Sequence, residues 1–221
     1  MILPGMPLGA LPGGAAPEII DTLAGNYDTD VSGSNTAILS LPSYSAGDLM
    51  VLFTAMEGDT GAASSISGFT RHRSIVRTSS KDLRCETFSK IMAGTEGGTV
   101  TLTTIGDMGR SNGMGAVATA LRGVSSLSFS TLAGSGSGDA LTPLHTPSED
   151  GLIWLATIWN TSRSLSGTPS GYTLLGTTAG PASNSWGQRL AGKVETLSSE
   201  NPGNFTVTFG GSWETMTMAL W

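Results

Sequence analysis

The side chains able to do chemistry are few, and their spacing sets limits on what they can do. Two histidines, His72 and His145, lie far apart in the chain, and a single cysteine, Cys85, sits in the stretch Cys85-Glu86-Thr87-Phe88. A zinc site needs three or four His, Cys or carboxylate ligands in close array. No such array is written here, and no metal or other cofactor is expected. A serine nucleophile paired with a histidine has no distinguishing local context in a chain this rich in serine. Paired carboxylates for glycoside hydrolysis are the more serious enzymatic option, because they need only two residues on facing strands. Glu86, Glu195 and Glu214 are the candidates, and their plain reading is as solvent-facing strand carboxylates. Asn26-Tyr27-Asp28-Thr29-Asp30 alternates oxygen donors but lacks the Gly and Glu that complete a calcium loop, so it reads as a polar turn. Arg71-His72-Arg73 is the densest basic spot. It suits a phosphate or sugar acid, or an edge strand guarded by positive charge against further pairing. The expectation is no catalytic residue and no enzyme.

The tryptophans form a different kind of candidate. Trp154, Trp159, Trp186, Trp213 and Trp221 all fall in the second half of the chain. Trp154 lies inside an apolar run and reads as core. Trp159, Trp186 and Trp213 border turns, where exposed rings would stack on a cell-surface glycan. Packing in the core or between subunits is the competing use for them.

The elements that must carry these residues are strands. Only 13% of the 221 residues are charged, and Gly (31 residues), Ser and Thr abound. That composition breaks helices and favours turns and strands. A net charge of −6 opposes a nucleic-acid partner, which needs a basic face to displace counterions. One cysteine precludes an intrachain disulfide, in keeping with folding in a reducing cytoplasm. The N-terminal stretch lacks the cationic start and uninterrupted apolar run of a secretion signal, and no apolar run is long enough for membrane insertion as a helix.

The chain also repeats itself. Gly47–Met56 aligns with Asp150–Trp159, Gly68-Phe69-Thr70 with Gly171-Tyr172-Thr173, and Lys90 with Lys193. Thr99–Leu102 then meets Thr206–Phe209, and Ala116–Leu121 meets Thr215–Leu220. Leu49–Phe53 and Leu152–Leu155 are continuous apolar runs, which predict central strands buried on both faces or strands at a subunit contact. Ala133–Asp139, rich in Gly and Ser, reads as a flexible linker. Residues 47–122 and 150–221 are thus expected to be equivalent strand sets. The preferred arrangement is one β-sandwich over 18–221 with strands of the two halves interleaved; two tandem mini-sandwiches are the alternative.

Blocks such as Ala46–Phe53, Ile66–Thr70, Lys90–Gly94 with Thr99–Leu102, Ala118–Val124 and Thr217–Trp221 resemble jelly-roll-like β-sandwich virion structural proteins of tailed bacteriophages. The Pro before the Gly-aromatic-Thr turn, usual in that family, is present as Pro169 but has no counterpart in the first half. The resemblance implies an all-β, jelly-roll-like antiparallel β-sandwich serving as a head-decoration, tail or fibre component in the virion. Homo-oligomers and other virion proteins would be its partners, and the resemblance implies no catalytic residues. Residues 1–17 fit that implication as an extended anchoring arm. Ile2, Leu3, Met6, Leu8 and Leu11 are apolar, and Pro4, Pro7 and Pro12 keep them out of a helix, so they are the expected partner-binding residues. A carbohydrate-binding, receptor-recognising module is the alternative function.

Overall fold

Backbone pairing accounts for nearly every apolar run. The computed structural model describes residues 15–27, 36–57, 62–77, 82–105, 113–162, 165–180 and 186–221, and within them the chain is all-β, with sixteen strands and no helix. The first half supplies β1 (Glu18–Tyr27), β2 (Thr36–Ser40), β3 (Leu49–Glu57), β4 (Ala62–Ile66), β5 (Thr70–Arg77), β6 (Leu83–Ile91), β7 (Thr99–Ile105) and β8 (Met114–Arg122). The second half supplies β9 (Leu127–Ser135), β10 (Gly138–Leu141), β11 (Gly151–Asn160), β12 (Leu165–Ser166), β13 (Thr173–Ala179), β14 (Gly187–Leu197), β15 (Asn204–Val207) and β16 (Ser212–Leu220). Every strand pairing is antiparallel.

The sheet orders repeat. β1-β8-β3-β6-β5 and β2-β7-β4 form in the first half, β9-β16-β11-β14-β13 and β10-β15-β12 in the second. Adding eight to each strand number converts one half into the other. Each sheet draws its strands from one half only, so the expected interleaving is corrected: the halves pair internally and meet face to face. Ala133–Asp139 is no linker either. Its first residues end β9, its last begin β10, and the halves join instead through the short stretch 123–126.

Strand alternation divides the apolar side chains among three cores. On β3, Met50, Leu52 and Met56 face the first small sheet, meeting Ala37, Leu39 and Leu102. Leu49, Val51, Phe53 and Ala55 face the other way, into a central core shared with Ile153, Leu155, Trp159, Trp186 and Leu190 of the second half. Trp154, Ala156 and Ile158 turn outward against Phe205 and Val207 of the second small sheet. β3 and β11 are therefore apolar on both faces because each lies mid-sheet between two cores.

Several local devices also recur. Phe69 N–H donates to Ile66 O, and Tyr172 N–H to Pro169 O, each at 3.1 Å. Gly68 (φ 77°) and Gly171 (φ 79°) occupy the left-handed position those turns require. Both edge strands then bulge at the same place, between Arg71 and Arg73 and between Leu174 and Gly176. A lysine sits over each turn aromatic, Lys90 at 5.8 Å from the Phe69 ring and Lys193 at 5.2 Å from Tyr172. The apolar runs align less simply. Leu49 pairs with Leu121 and Ile91, whereas Ile153, not Leu152, pairs with Leu220 and Val194. A register shift between Gly151 and Ile153 moves the second run by one residue relative to the first. Similarly, Thr99–Leu102 does not match Thr206–Phe209: Phe209 lies beyond β15 and is exposed, while buried Val207 pairs with Leu165 much as buried Leu102 pairs with Ile66.

The central core is packed large against small. Cys85, Ala55 and Gly115 lie side by side across the first five-stranded sheet. A Cβ on Gly115 would collide with the Trp186 ring and with Thr178 Oγ1. Gly115→Ala, a change that stabilises many strand-compatible sites, should therefore lower stability here by about 1–3 kcal/mol in urea unfolding. The same change at Gly98, where a Cβ meets nothing, should be neutral or mildly favourable. Equal stabilities for the two variants would mean that the sheets do not meet as described.

Candidate functional site

Glu214 opens β16 and points into the central core because Met216, Met218 and Leu220, two residues apart, do so as well. Its carboxylate is fully buried and held by two arginines from the other half. Arg73 donates from Nε (3.1 Å) and Nη2 (2.8 Å) to Oε1; Arg77 donates from Nε (2.8 Å) and Nη2 to Oε2. Arg73 and Arg77, four residues apart on the regular part of β5, share its inner face, and the bulge at His72 puts Arg71 on the other face. Such forked pairs are directional as well as strong. With both carboxylate oxygens taken, Glu214 fastens β16 to β5.

Glu86 does not meet Glu214. It shares its face of β6 with Phe88, toward the small sheet, where Glu86 Oε1 accepts Ser64 N–H at 2.9 Å. The two carboxylates lie on opposite faces of the first five-stranded sheet and do not face each other, and both are fully buried, which corrects their reading as solvent-facing strand carboxylates. Glu195 is the exposed partner of Lys193, at 2.9 Å, and Lys193 also reaches Glu200 at 3.0 Å.

The basic spot is dispersed. Arg71 Nη1 donates to Ser64 O, His72 Nε2 pairs with Ser89 Oγ at 2.7 Å, and Arg73 turns inward. β5 is nonetheless an edge strand. His145 is buried, with Nε2 2.8 Å from Ser128 Oγ and Nδ1 2.9 Å from Ser130 Oγ. Both ring nitrogens are used by serines of β9, leaving none for the carboxylate that orients a catalytic histidine. Burial holds both histidines below the ordinary imidazole range. Cys85 is buried, and burial first, then the Glu214 charge, pushes its thiol well up, away from the thiolate that reactivity requires. Gly109-Arg110-Ser111-Asn112-Gly113 carries the Gly-x-Ser-x-Gly spacing that sequence reading overlooked. Its first four residues lie outside the described residues, and it falls between β7 and β8, strands of two different sheets, whereas a nucleophile elbow joins a strand to a helix. Among the described residues no three His, Cys, Asp or Glu cluster as a metal site, and no helix is long and apolar enough to cross a membrane.

The glycan platform is corrected for two of its three residues. Trp159 is 0% and Trp186 1% exposed, because both fill the central core; the Trp159 and Phe53 rings lie 6.1 Å apart. Trp213 is partly buried, its ring laid over Gly134 on the neighbouring strand. Asn26 and Tyr27, expected in a polar turn, instead end β1, and Asn26 Oδ1 accepts Ala179 N–H at 3.3 Å, joining the halves; Asp28, Thr29 and Asp30 lie outside the described residues.

The body has two dissimilar ends. Antiparallel pairing gathers Tyr27, Glu57, Arg77, Asn160 and Ala179, the last residues of odd-numbered strands, at one end. At the other, Ala15–Pro17 pass over Gly123 beside Trp221 and Leu152, and a groove of about 660 Å³ opens between the halves. Its charged residues, Asp48 and Arg122, neutralise each other through a forked pair at 2.9 and 3.0 Å. Burial opposes the Asp48 charge, yet the Arg122 hydrogen bond holds its carboxyl below the usual range. Ile2, Leu3, Met6, Leu8 and Leu11 lie outside the described residues.

Two outcomes test these assignments. Removing the Glu214 carboxylate strands two arginines against the core, so Glu214→Ala should cost about 3 kcal/mol, the lower end for a broken buried pair because the arginines are partly exposed. Glu195→Ala, at an exposed rim, should change stability by no more than ~0.5 kcal/mol in the same urea titration. For His145, the unfolded chain takes up a proton at a higher pH than the folded chain. Stability should therefore fall as pH drops below about 6.5 and continue falling through the lower folded value. A smaller melting-temperature loss between pH 7 and pH 5.5 in His145→Gln than in the parent would bear this out; an equal loss would refute it.

No protein-family model, curated protein or solved structure matches the chain.

Proposed function

We propose that this chain is a structural component of a bacteriophage virion, in the head decoration, tail or fibre, attached to the particle through residues 1–17. One observation carries the reading: the first described residues, Ala15–Pro17, lie at one end of a duplicated β body, and the last residues of β1, β3, β5, β11 and β13 lie at the other. The strand-and-turn blocks that resemble tailed-phage virion proteins support it. So does the order of each half, five strands over three, which we read as a jelly-roll-like sandwich of eight strands. The use of Glu214, Glu86, His145 and Cys85 as packing and pairing groups also favours a structural role over a catalytic one. The attached end would gain from many copies binding together, since linked weak contacts raise overall affinity without new interactions.

Electron cryomicroscopy of the intact particle, together with a chain lacking residues 1–14, tests this. The full chain should appear as repeated copies on the virion, and the shortened chain should fold, by circular dichroism, yet be absent from particles. Incorporation of the shortened chain would refute attachment by the arm. Absence of the full chain from purified particles would refute the virion role.

A further inference from the structure

We propose that the groove between the halves is the seat for residues 1–14 of a second copy of this chain; this rests on the reading that the N-terminal segment is an attachment arm and names what receives it. The groove has apolar walls, with Ala46, Val124, Leu152 and Trp221 among them. Its only opposite charges, Asp48 and Arg122, cancel each other. It is also held in shape: Ser125 and Ser126 N–H groups donate to Trp221 O at 2.8 and 2.9 Å, and Trp221 N–H donates back to Ser126 O at 3.1 Å. A preformed groove spares the ordering cost that weakens flexible sites.

The segment complements it. Residues 1–14 contain no charged side chain, and Ile2, Leu3, Met6, Leu8 and Leu11 need cover from water. Pro4, Pro7 and Pro12 rule out a continuous helix for it. An extended chain spans at most about 3.3–3.6 Å per residue, so fourteen residues reach roughly 45–50 Å, the scale of a neighbouring protein. The segment starts from Ala15, at the groove's own lip. Copies arrayed side by side on a particle bring each arm close to the next copy's groove, so that the arms hold the array by linking neighbours, and each copy both gives and receives one.

Disulfide trapping on the full-length chain tests the proposal without any particle, so it can fail while virion attachment stands, and the reverse. One batch carries Leu8→Cys and a second carries Leu152→Cys, with Met6→Cys and Leu11→Cys as alternative arm positions and Val124→Cys replacing Leu152→Cys if that variant misfolds. Mild oxidation of the mixed batches should give a species at twice the 22.6 kDa chain mass that neither batch gives alone. Excess synthetic peptide of residues 1–14 should reduce its yield at least tenfold. A chain carrying both cysteines that closes on itself, with no dimer in the mixture, would show that each groove holds its own arm and would overturn the proposal. So would the absence of any cross-link across the arm positions.

Discussion

The fold depends on two five-stranded sheets meeting face to face with unequal side chains. The first sheet presents Cys85, Ala55 and Gly115 in one row; the second answers with Trp159, Trp186 and Gln188. Two sheets that both carried large residues there would stand apart and leave voids, and two that both carried small ones would lose the apolar area that drives burial. Two of the five tryptophans gathered in the second half follow from this asymmetry. Trp159 and Trp186 supply volume that the first half leaves empty.

A contact made only of apolar area would tolerate sliding, and three groups fix its position. Glu214 held by Arg73 and Arg77 ties one edge. Asn26 receiving the Ala179 N–H ties the other. At the opposite end, Ser125 and Ser126 bind the backbone of Trp221. The first of these is costly to form, since a carboxylate and two guanidinium groups give up water, and such a cluster is better understood as fixing position than as adding net stability.

Much of this was legible in the sequence, and the limits have physical causes. The all-β class and the repeat could be read because strands and Gly-aromatic-Thr turns leave local patterns. The central position of β3 and β11 could be read because a strand between two cores must be apolar on both faces. Which face each residue takes could not, because a single bulge near Leu152 reverses the alternation that follows it. The glycan reading of Trp159 and Trp186 failed for a related reason: a residue beside a turn is exposed only if nothing packs over the sheet, and here another sheet does. Arg73 and Glu214 are far apart in the chain, and no local pattern joins them.

What the two halves retain and what they have lost points to how each feature is held. Backbone devices persist: the same strand order, the same bulge on the edge strand, the same glycine turn under a lysine. The side chains facing the central core have diverged, with Ala55 matched in the ladders by Trp159 and Cys85 by Gln188. A turn or bulge has few residues that satisfy its dihedral angles, so both copies are held to them. Core positions obey a looser rule, in which total volume and complementarity matter more than identity. Once the halves face each other, that rule acts on the pair, so a residue can shrink on one side if its opposite grows. The same freedom extends to charge: Glu214 in the second half is buried without a local partner because two arginines of the first half supply one. Neither half presents a finished surface on its inner face, and the five-stranded sheets are best regarded as complementary parts of one body.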